Sequence, residues 1–177
     1  MIPARARSRF LVVALLAATP VLTQAQWTGQ TIGGQWYYPT TSDLYNDQGT
    51  AVVGSATEFT FFGFVNVDVS GNSVLLSFSD RIHFSPGSFS GVRLYDPNGF
   101  LTDILSATLG YSDMAGFDQS RISFDANNLW LNLENIQVDE SHTISVDINA
   151  TPEPASMLLL GTGLVGVLGL ARRKRST

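Results

Sequence analysis

The segment FVNVDVSGNSVLLSF, residues 64–78, carries the clearest structural pattern in the chain. Hydrophobic and polar side chains alternate on both sides of the pair Gly71-Asn72, and the hydrophobic positions include Val65, Val67, Val69, Val74, Leu76 and Phe78. A period of two places side chains on one face of an extended strand, and a Gly-Asn pair between two such runs is typical of a tight turn. The segment therefore predicts a β-hairpin with one buried and one solvated face.

Further short segments with strand-like composition lie on both sides of this hairpin. They are residues 58–62, 89–95, 101–109, 121–124, 129–133 and 142–148. Turn-forming residues separate them, for example Asp96-Pro97-Asn98-Gly99. About eight short strands joined by turns are typical of an all-β domain of the β-sandwich or jelly-roll kind, with a barrel as the alternative. We assign residues 26–151 to this single domain.

Charge is distributed unevenly along the chain. Seven of the ten basic residues lie in residues 1–25 and 152–177. Residues 26–151 therefore hold 14 acidic residues against Arg81, Arg93 and Arg121, a formal charge of −11. A field of this sign repels polyanions, so nucleic acid and anionic lipid surfaces are excluded as main partners. Neutral glycans and divalent cations remain compatible with it.

Residues 1–25 have the three parts of a secretory signal peptide. Arg5, Arg7 and Arg9 precede the apolar run FLVVALLAA, residues 10–18, and a small residue, Ala25, stands at the expected cleavage position. The apolar run is too short for a membrane anchor. We expect signal peptidase to remove this segment after export.

The tail PEPASMLLLGTGLVGVLGLARRKRST, residues 152–177, also has three parts. The tripeptide Pro152-Glu153-Pro154 resists helix formation. The uncharged residues 155–171 reach about 25 Å as a helix, which is just enough to span a bilayer. A basic cluster that favours the cytoplasmic side follows directly, at Arg172, Arg173, Lys174 and Arg175. The pattern predicts a transmembrane helix with the domain outside, and an ordinary single-pass anchor is one interpretation.

The order of these three parts resembles the PEP-CTERM sorting signal of Gram-negative bacteria, with Thr151 where members commonly have valine. The resemblance implies an exosortase as processing enzyme and cleavage near the tripeptide. It implies a protein held transiently in the inner membrane with its domain in the periplasm, and then placed at the cell surface or in the extracellular matrix. It also implies an association with exopolysaccharide and biofilm.

The segment WTGQTIGGQWYYPTTSD, residues 27–43, concentrates aromatic residues among glycines and polar residues. Flat rings with polar tips suit stacking on sugars, so Trp36, Tyr37 and Tyr38 are candidates for a glycan-binding surface. The alternative, which we favour, is that Trp36 and one tyrosine fill the end of the hydrophobic core.

Metal-binding patterns are incomplete. Asn66, Asp68 and Ser70 alternate before Gly71 as in the first half of a calcium loop, but Ser77 stands where the bidentate acid belongs. A second set, Asp113, Asp118 and Asp125, is better explained by turn capping and pairing with Arg121. We therefore predict no metal site and no cofactor, although a calcium-assisted lectin stays open as an alternative.

Catalytic patterns are weaker still. His83 lies near Asp80, and His142 follows Asp139, but no Gly-x-Ser-x-Gly motif surrounds a serine and cysteine is absent. We predict a protein that is not an enzyme: an exported, non-catalytic surface or matrix protein. The alternative is a lectin-like carbohydrate-binding module.

Overall fold

The computed structural model describes residues 27–99 and 103–150. The predicted signal peptide, the sorting tripeptide, the transmembrane helix and the basic cluster lie outside these residues. The described part contains 12 β-strands and one 3-10 helix of three residues. No helix in this part is long and apolar enough to cross a membrane.

The strands are short and follow one another closely. In chain order they are β1 (Thr31–Tyr37), β2 (Leu44–Val52), β3 (Phe59–Phe61), β4 (Val65–Ser70), β5 (Ser73–Phe78), β6 (Ile82–His83), β7 (Gly91–Tyr95), β8 (Ile104–Ser112), β9 (Ile122–Phe124), β10 (Asn128–Asn132), β11 (Gln137–Val138) and β12 (Thr143–Ala150). The 3-10 helix, Gln119–Arg121, lies between β8 and β9.

Two five-stranded antiparallel sheets contain ten of these strands. The first sheet has the order β2-β1-β7-β10-β9, and the second has the order β3-β4-β5-β12-β8. Strands β6 and β11 form a small separate pair. The prediction of an all-β architecture is confirmed.

The inward side chains of both sheets form one hydrophobic cluster. Its fully buried members include Leu94 and Leu129 from the first sheet and Val67, Leu76 and Ile144 from the second. Burying a side chain of this size contributes about 1.5–3 kcal/mol, so the shared cluster is the main stabilising element of a chain without disulfides. The two sheets therefore stabilise each other through their facing surfaces.

The predicted hairpin is present as β4 and β5, and their register runs from Val65 opposite Phe78 to Ser70 opposite Ser73. Gly71 has a φ of +60° at the first position of the two-residue turn. A positive φ at that position is characteristic of a type II′ turn and favours glycine. The sequence pattern and the turn chemistry agree here.

Strands β1 and β2 were not predicted from the sequence. Glycine is disfavoured inside strands, and β1 contains Gly33-Gly34. A Cβ atom on Gly33 would lie 2.2 Å from the Tyr95 ring, and one on Gly34 would lie 2.6 Å from the Phe59 ring. The two glycines therefore make room for an aromatic ring on each face of the strand.

The first and last described residues lie at the same end of the two sheets. The Trp27 N–H donates to the Gly71 carbonyl at 2.7 Å, and the Ile148 N–H donates to the Asn72 carbonyl at 2.7 Å. We call this end, next to the Gly71-Asn72 turn, the terminal end. The start of β4 and the turn before it lie at the opposite end, which we call the distal end.

A side chain occupies part of the free edge of β8. The Gln119 side-chain oxygen accepts from the Leu109 N–H at 2.7 Å, and its nitrogen donates to the Ala107 carbonyl at 3.0 Å. Exposed strand edges offer unpaired backbone groups to other chains. Strand β8 carries no charged residue, so the amide of Gln119 is the group that blocks this stretch of edge.

Candidate functional site

The turn between β3 and β4 has an unusual composition. Phe62 has a φ of +56° and Gly63 a φ of +79°, and the Phe64 N–H donates to the Phe61 carbonyl at 3.1 Å. Positive φ at two central residues is characteristic of type I′ turns, which favour Asn-Gly. A phenylalanine in this conformation costs on the order of 1–3 kcal/mol. The turn holds the Phe62 side chain at the surface, 40% exposed.

The Phe62 ring is the centre of a connected group of aromatic rings. Its centroid lies 5.3 Å from that of Trp36, 5.9 Å from that of Tyr45 and 5.8 Å from that of Phe64. Tyr45 also meets Tyr38, with centroids 6.2 Å apart. These separations fall in the range in which aromatic pairs attract each other. The rings therefore support one another at the distal end of the molecule.

These rings line a depression with a volume of about 240 Å³. Its lining consists of Trp36, Tyr38, Tyr45, Phe62, Phe64, Ile82, His83, Phe84, Ser85 and Ser90. We call it the aromatic depression. No carboxylate of residues 27–99 or 103–150 lines it, and its residues with hydrogen-bonding side chains are tyrosine, tryptophan, histidine and serine. The depression therefore combines apolar rings with neutral polar groups.

The three aromatic residues that the sequence singled out lie in three different settings. Trp36 is 2% exposed, and its ring packs against Phe61 and Phe84 with centroids 5.7 and 5.2 Å away. Tyr38 is half-buried and lines the depression. Tyr37 is 9% exposed and belongs to the opposite face of β1. The depression thus includes two of the three.

Sequence reasoning missed the two most exposed rings of the depression, Tyr45 at 65% and Phe62 at 40%. Phe62 lies in the run Phe61-Phe62-Gly63-Phe64, and a glycine inside an aromatic run could have indicated a turn that holds rings outward. Tyr45 lies in β2, where no sequence pattern indicated a strand.

On the outer face of the first sheet, Tyr37 belongs to a network around Arg93. The guanidinium donates to Gln35 Oε1 at 3.0 Å and to Asn128 Oδ1 at 2.8 Å, and it stacks 4.7 Å from the Tyr95 ring centroid. The Tyr37 hydroxyl donates to the same Gln35 oxygen at 3.1 Å. Arginine is suited to such combined stacking and hydrogen bonding. This network fastens β1, β7 and β10 together.

Asn66, one of the three residues suggested as calcium ligands, makes hydrogen bonds within the protein. Asn66 Oδ1 accepts from the Thr60 hydroxyl at 3.0 Å, and its Nδ2 donates to the Ser79 hydroxyl at 3.0 Å. Within residues 27–99 and 103–150, no group of three or more His, Cys, Asp or Glu is placed to hold a metal ion. Asn66 therefore serves to tie β4 to its neighbours in the second sheet.

The aspartates of the second set lie in separate turns. Hydrogen bonds from the Ser120 hydroxyl and backbone N–H lower the pKa of Asp118, which caps the 3-10 helix. Asp125 accepts from the Asn127 N–H at 2.8 Å, and Asp113 accepts from the Thr143 N–H at 2.9 Å. All three carboxylates accept from backbone N–H groups, and that of Asp113 joins its turn to the start of β12.

Arg121, which was expected to pair with these aspartates, lowers the pKa of Asp118 by its charge less than the Ser120 hydrogen bonds do, and its guanidinium donates to the Glu134 carbonyl at 2.8 Å. A second bond reaches the Asn132 carbonyl at 3.4 Å. The guanidinium therefore binds the backbone that follows β10.

The two histidines lie in different environments. His83 is exposed and lines the aromatic depression. Its sequence neighbour Asp80 accepts from the Arg81 N–H at 2.7 Å. His142 Nδ1 accepts from the Asp139 N–H at 3.0 Å and therefore closes a turn before β12.

The tail matches a known family. The model of the PEP-CTERM protein-sorting motif matches residues 150–175, which include Pro152-Glu153-Pro154 and the basic cluster Arg172, Arg173, Lys174 and Arg175. The chain thus carries a PEP-CTERM sorting motif, as the sequence predicted. The motif implies an exported protein that exosortase processes while it is anchored in the membrane. No curated protein and no solved structure matches the chain.

Proposed function

We propose that this protein is a non-catalytic component of the cell surface or of the extracellular polysaccharide matrix, delivered there by exosortase. The two sheets form a β-sandwich scaffold in this proposal. The observation that carries it is the PEP-CTERM motif at residues 150–175, which follows β12 without an intervening linker. The precursor would hold the scaffold close to the outer surface of the inner membrane until the tail is cut.

The hydrogen bonds of Asp118, Asp125 and His142 support a non-catalytic role for these three groups. Asp118 and Asp125 bind backbone N–H groups of turns, and His142 accepts from the Asp139 N–H. A general base must be free to take a proton from a bound substrate. These groups instead stabilise the loops in which they lie.

A second candidate function, carbohydrate binding, is supported by the aromatic depression. Solvent-exposed rings beside neutral polar groups are suited to contact with sugars. This function is compatible with the first, because a matrix protein can be retained by binding the matrix polysaccharide.

Delivery is tested by replacing Pro152-Glu153-Pro154 with three alanines in the native host. We expect the variant to accumulate uncut in the inner membrane, while the wild type gives an intact mass without the tail. The matched control is Pro86→Ala, which changes an exposed proline of the described domain and should be processed like the wild type. Efficient processing of the triple variant would contradict exosortase-dependent delivery.

Placement in the matrix is tested by fractionation. In a host strain that makes no exopolysaccharide, we expect the mature protein to move from the matrix fraction into the medium. An unchanged distribution between cells, matrix and medium would count against a matrix role.

A further inference from the structure

We propose that the aromatic depression binds one ring, or the chain end, of a neutral sugar, with Tyr45 and Phe62 as stacking surfaces. The inference rests on the carbohydrate-binding alternative of the proposed function and assigns it a site. Three observations carry it: the exposure of the rings, the uncharged lining and the position of the depression relative to the sorting motif.

Two exposed rings of the described residues lie next to each other. Tyr45 is 65% exposed and Phe62 is 40% exposed, and their centroids are 5.9 Å apart. Single exposed hydrophobic side chains are ordinary, but adjacent exposed rings are typical of binding sites. Phe62 is also held outward by a backbone conformation that favours asparagine or glycine. The backbone preference of this turn does not favour phenylalanine, so its ring contacts, within the protein and in this proposal with a ligand, offset the cost.

The lining and the charge of the domain select against anionic ligands. Among the described residues, no Asp, Glu, Lys or Arg lines the depression, and the surrounding domain, residues 26–151, has a formal charge of −11. Anionic ligands are therefore repelled. A neutral sugar offers an apolar C–H face to the rings and hydroxyl groups to His83, Ser85 or Ser90.

The size of the depression limits the occupant. Its volume of about 240 Å³ is below the range of roughly 300–1,000 Å³ that is usual for drug-sized ligands. One sugar ring or the end of a chain fits such a space better than an internal stretch of several rings. The site therefore binds the terminal sugar or a side branch of a polysaccharide.

The depression also lies where a matrix ligand can reach it. Strand β4, Val65–Ser70, runs from the turn of Phe62 at the distal end to Gly71-Asn72 at the terminal end, a distance of roughly 20 Å. The chain leaves the terminal end through β12 toward the sorting motif. The depression thus lies at the end of the domain opposite the end from which the chain continues to the sorting motif.

The test uses mature protein purified from its native host and immobilised probes. The probes are the host exopolysaccharide, neutral gluco- and manno-oligosaccharides, and alginate as an anionic polysaccharide. We expect the wild type to bind at least one neutral oligosaccharide, with or without the host polysaccharide, and not to bind alginate. Tyr45→Ala and Phe62→Asn should each bind about tenfold more weakly, which corresponds to about 1.4 kcal/mol.

Tyr111→Ala is the matched control, because Tyr111 is 56% exposed and lies on β8, outside the depression. It should bind like the wild type, and both tyrosine variants should keep the wild-type melting temperature. Three results would overturn the inference: unchanged binding by Tyr45→Ala and Phe62→Asn, equal loss in Tyr111→Ala, or no binding of the wild type to any neutral probe. Delivery and matrix fractionation are measured separately, so the assigned site can fail while the proposed function stands.

Discussion

Strand β4 is flanked by two tight turns. Both require a positive φ at the first turn position, but a different residue type occupies that position in each. At the terminal end, Gly71 takes the positive φ that the turn requires. At the distal end, Phe62 takes a positive φ, with Gly63 behind it. The first turn follows the conformational preference of its residues, and the second departs from it. Departures of this kind concentrate where a side chain is held for a purpose other than folding.

The first prediction compares a buried ring, Trp36, with an exposed ring of the aromatic depression, Tyr45. Trp36→Ala should lower the free energy of unfolding by about 3–5 kcal/mol, because the ring is 2% exposed and its removal leaves a cavity. Thermal or denaturant unfolding monitored by circular dichroism measures this. The companion Tyr45→Ala should change stability by less than about 0.5 kcal/mol. Equal stability of the two variants would contradict the division into buried and exposed rings.

The second prediction tests the terminal turn. Gly71→Ala should cost about 1–2 kcal/mol, because alanine disfavours a φ of +60°. Outside its chain neighbours, no atom of the described part of the chain lies within 4 Å of the added Cβ, so the cost comes from the backbone. Gly54→Ala is the control: Gly54 has no positive φ, and its nearest contact would be 3.8 Å away. If Gly71→Ala leaves the free energy of unfolding unchanged, the terminal turn does not depend on glycine and the stated difference between the two turns is wrong.

The third prediction isolates the strain at the distal turn. Phe62→Asn and Phe62→Ala both remove the ring, but asparagine accepts a positive φ more readily than alanine. Phe62→Asn should therefore be more stable than Phe62→Ala by about 1 kcal/mol in urea unfolding. If the two variants unfold at the same urea concentration, the turn does not impose the conformation described.

The smallest predicted effect is the loss of stability at acidic pH, because neither of the two turns that flank β4 contains a carboxylate. Hydrogen bonds from Ser120 lower the pKa of Asp118, and those from Ser141 lower the pKa of Asp139. A lowered pKa in the folded state stabilises the fold above the ordinary value of 3.8. That stability is lost as the pH falls below 3.8 and through the folded-state pKa.

Melting curves across this acidic range measure the effect. Asp118→Asn, which keeps an oxygen for the Ser120 N–H, should lose less of its melting temperature on acidification than the wild type. A steeper loss in the variant would show that the ionised carboxylate is not the stabilising form.

The sequence predicted the second sheet better than the first. Strands β4 and β5 alternate hydrophobic and polar residues except at Leu75, because one face is buried and the other is solvated. Strand β1 was missed because Gly33-Gly34 breaks the pattern, and those glycines are explained only by Phe59 and Tyr95, which are distant in sequence. Strand β2 was missed because it is an edge strand with little burial on either face.

The site was predicted only in part for a similar reason. Trp36, Tyr37 and Tyr38 are adjacent in sequence, but neighbouring residues of a strand point to opposite faces. Tyr37 therefore lies on the face of β1 that is turned away from the depression. Tyr45 and Phe62 come together with Tyr38 through three different segments of the chain. Spatial grouping of this kind requires the register of the strands, which the sequence pattern did not provide.

The amide of Gln119 has a consequence for molecules that are packed together. It already makes the two hydrogen bonds that a neighbouring strand would form with Ala107 and Leu109 on the edge of β8. A strand added to an edge has a second edge that can pair with a further chain, whereas a side chain bound to the edge has none. In a dense layer of identical copies, growth of a continuous intermolecular sheet is therefore stopped at this stretch of edge, and each copy remains a separate particle there.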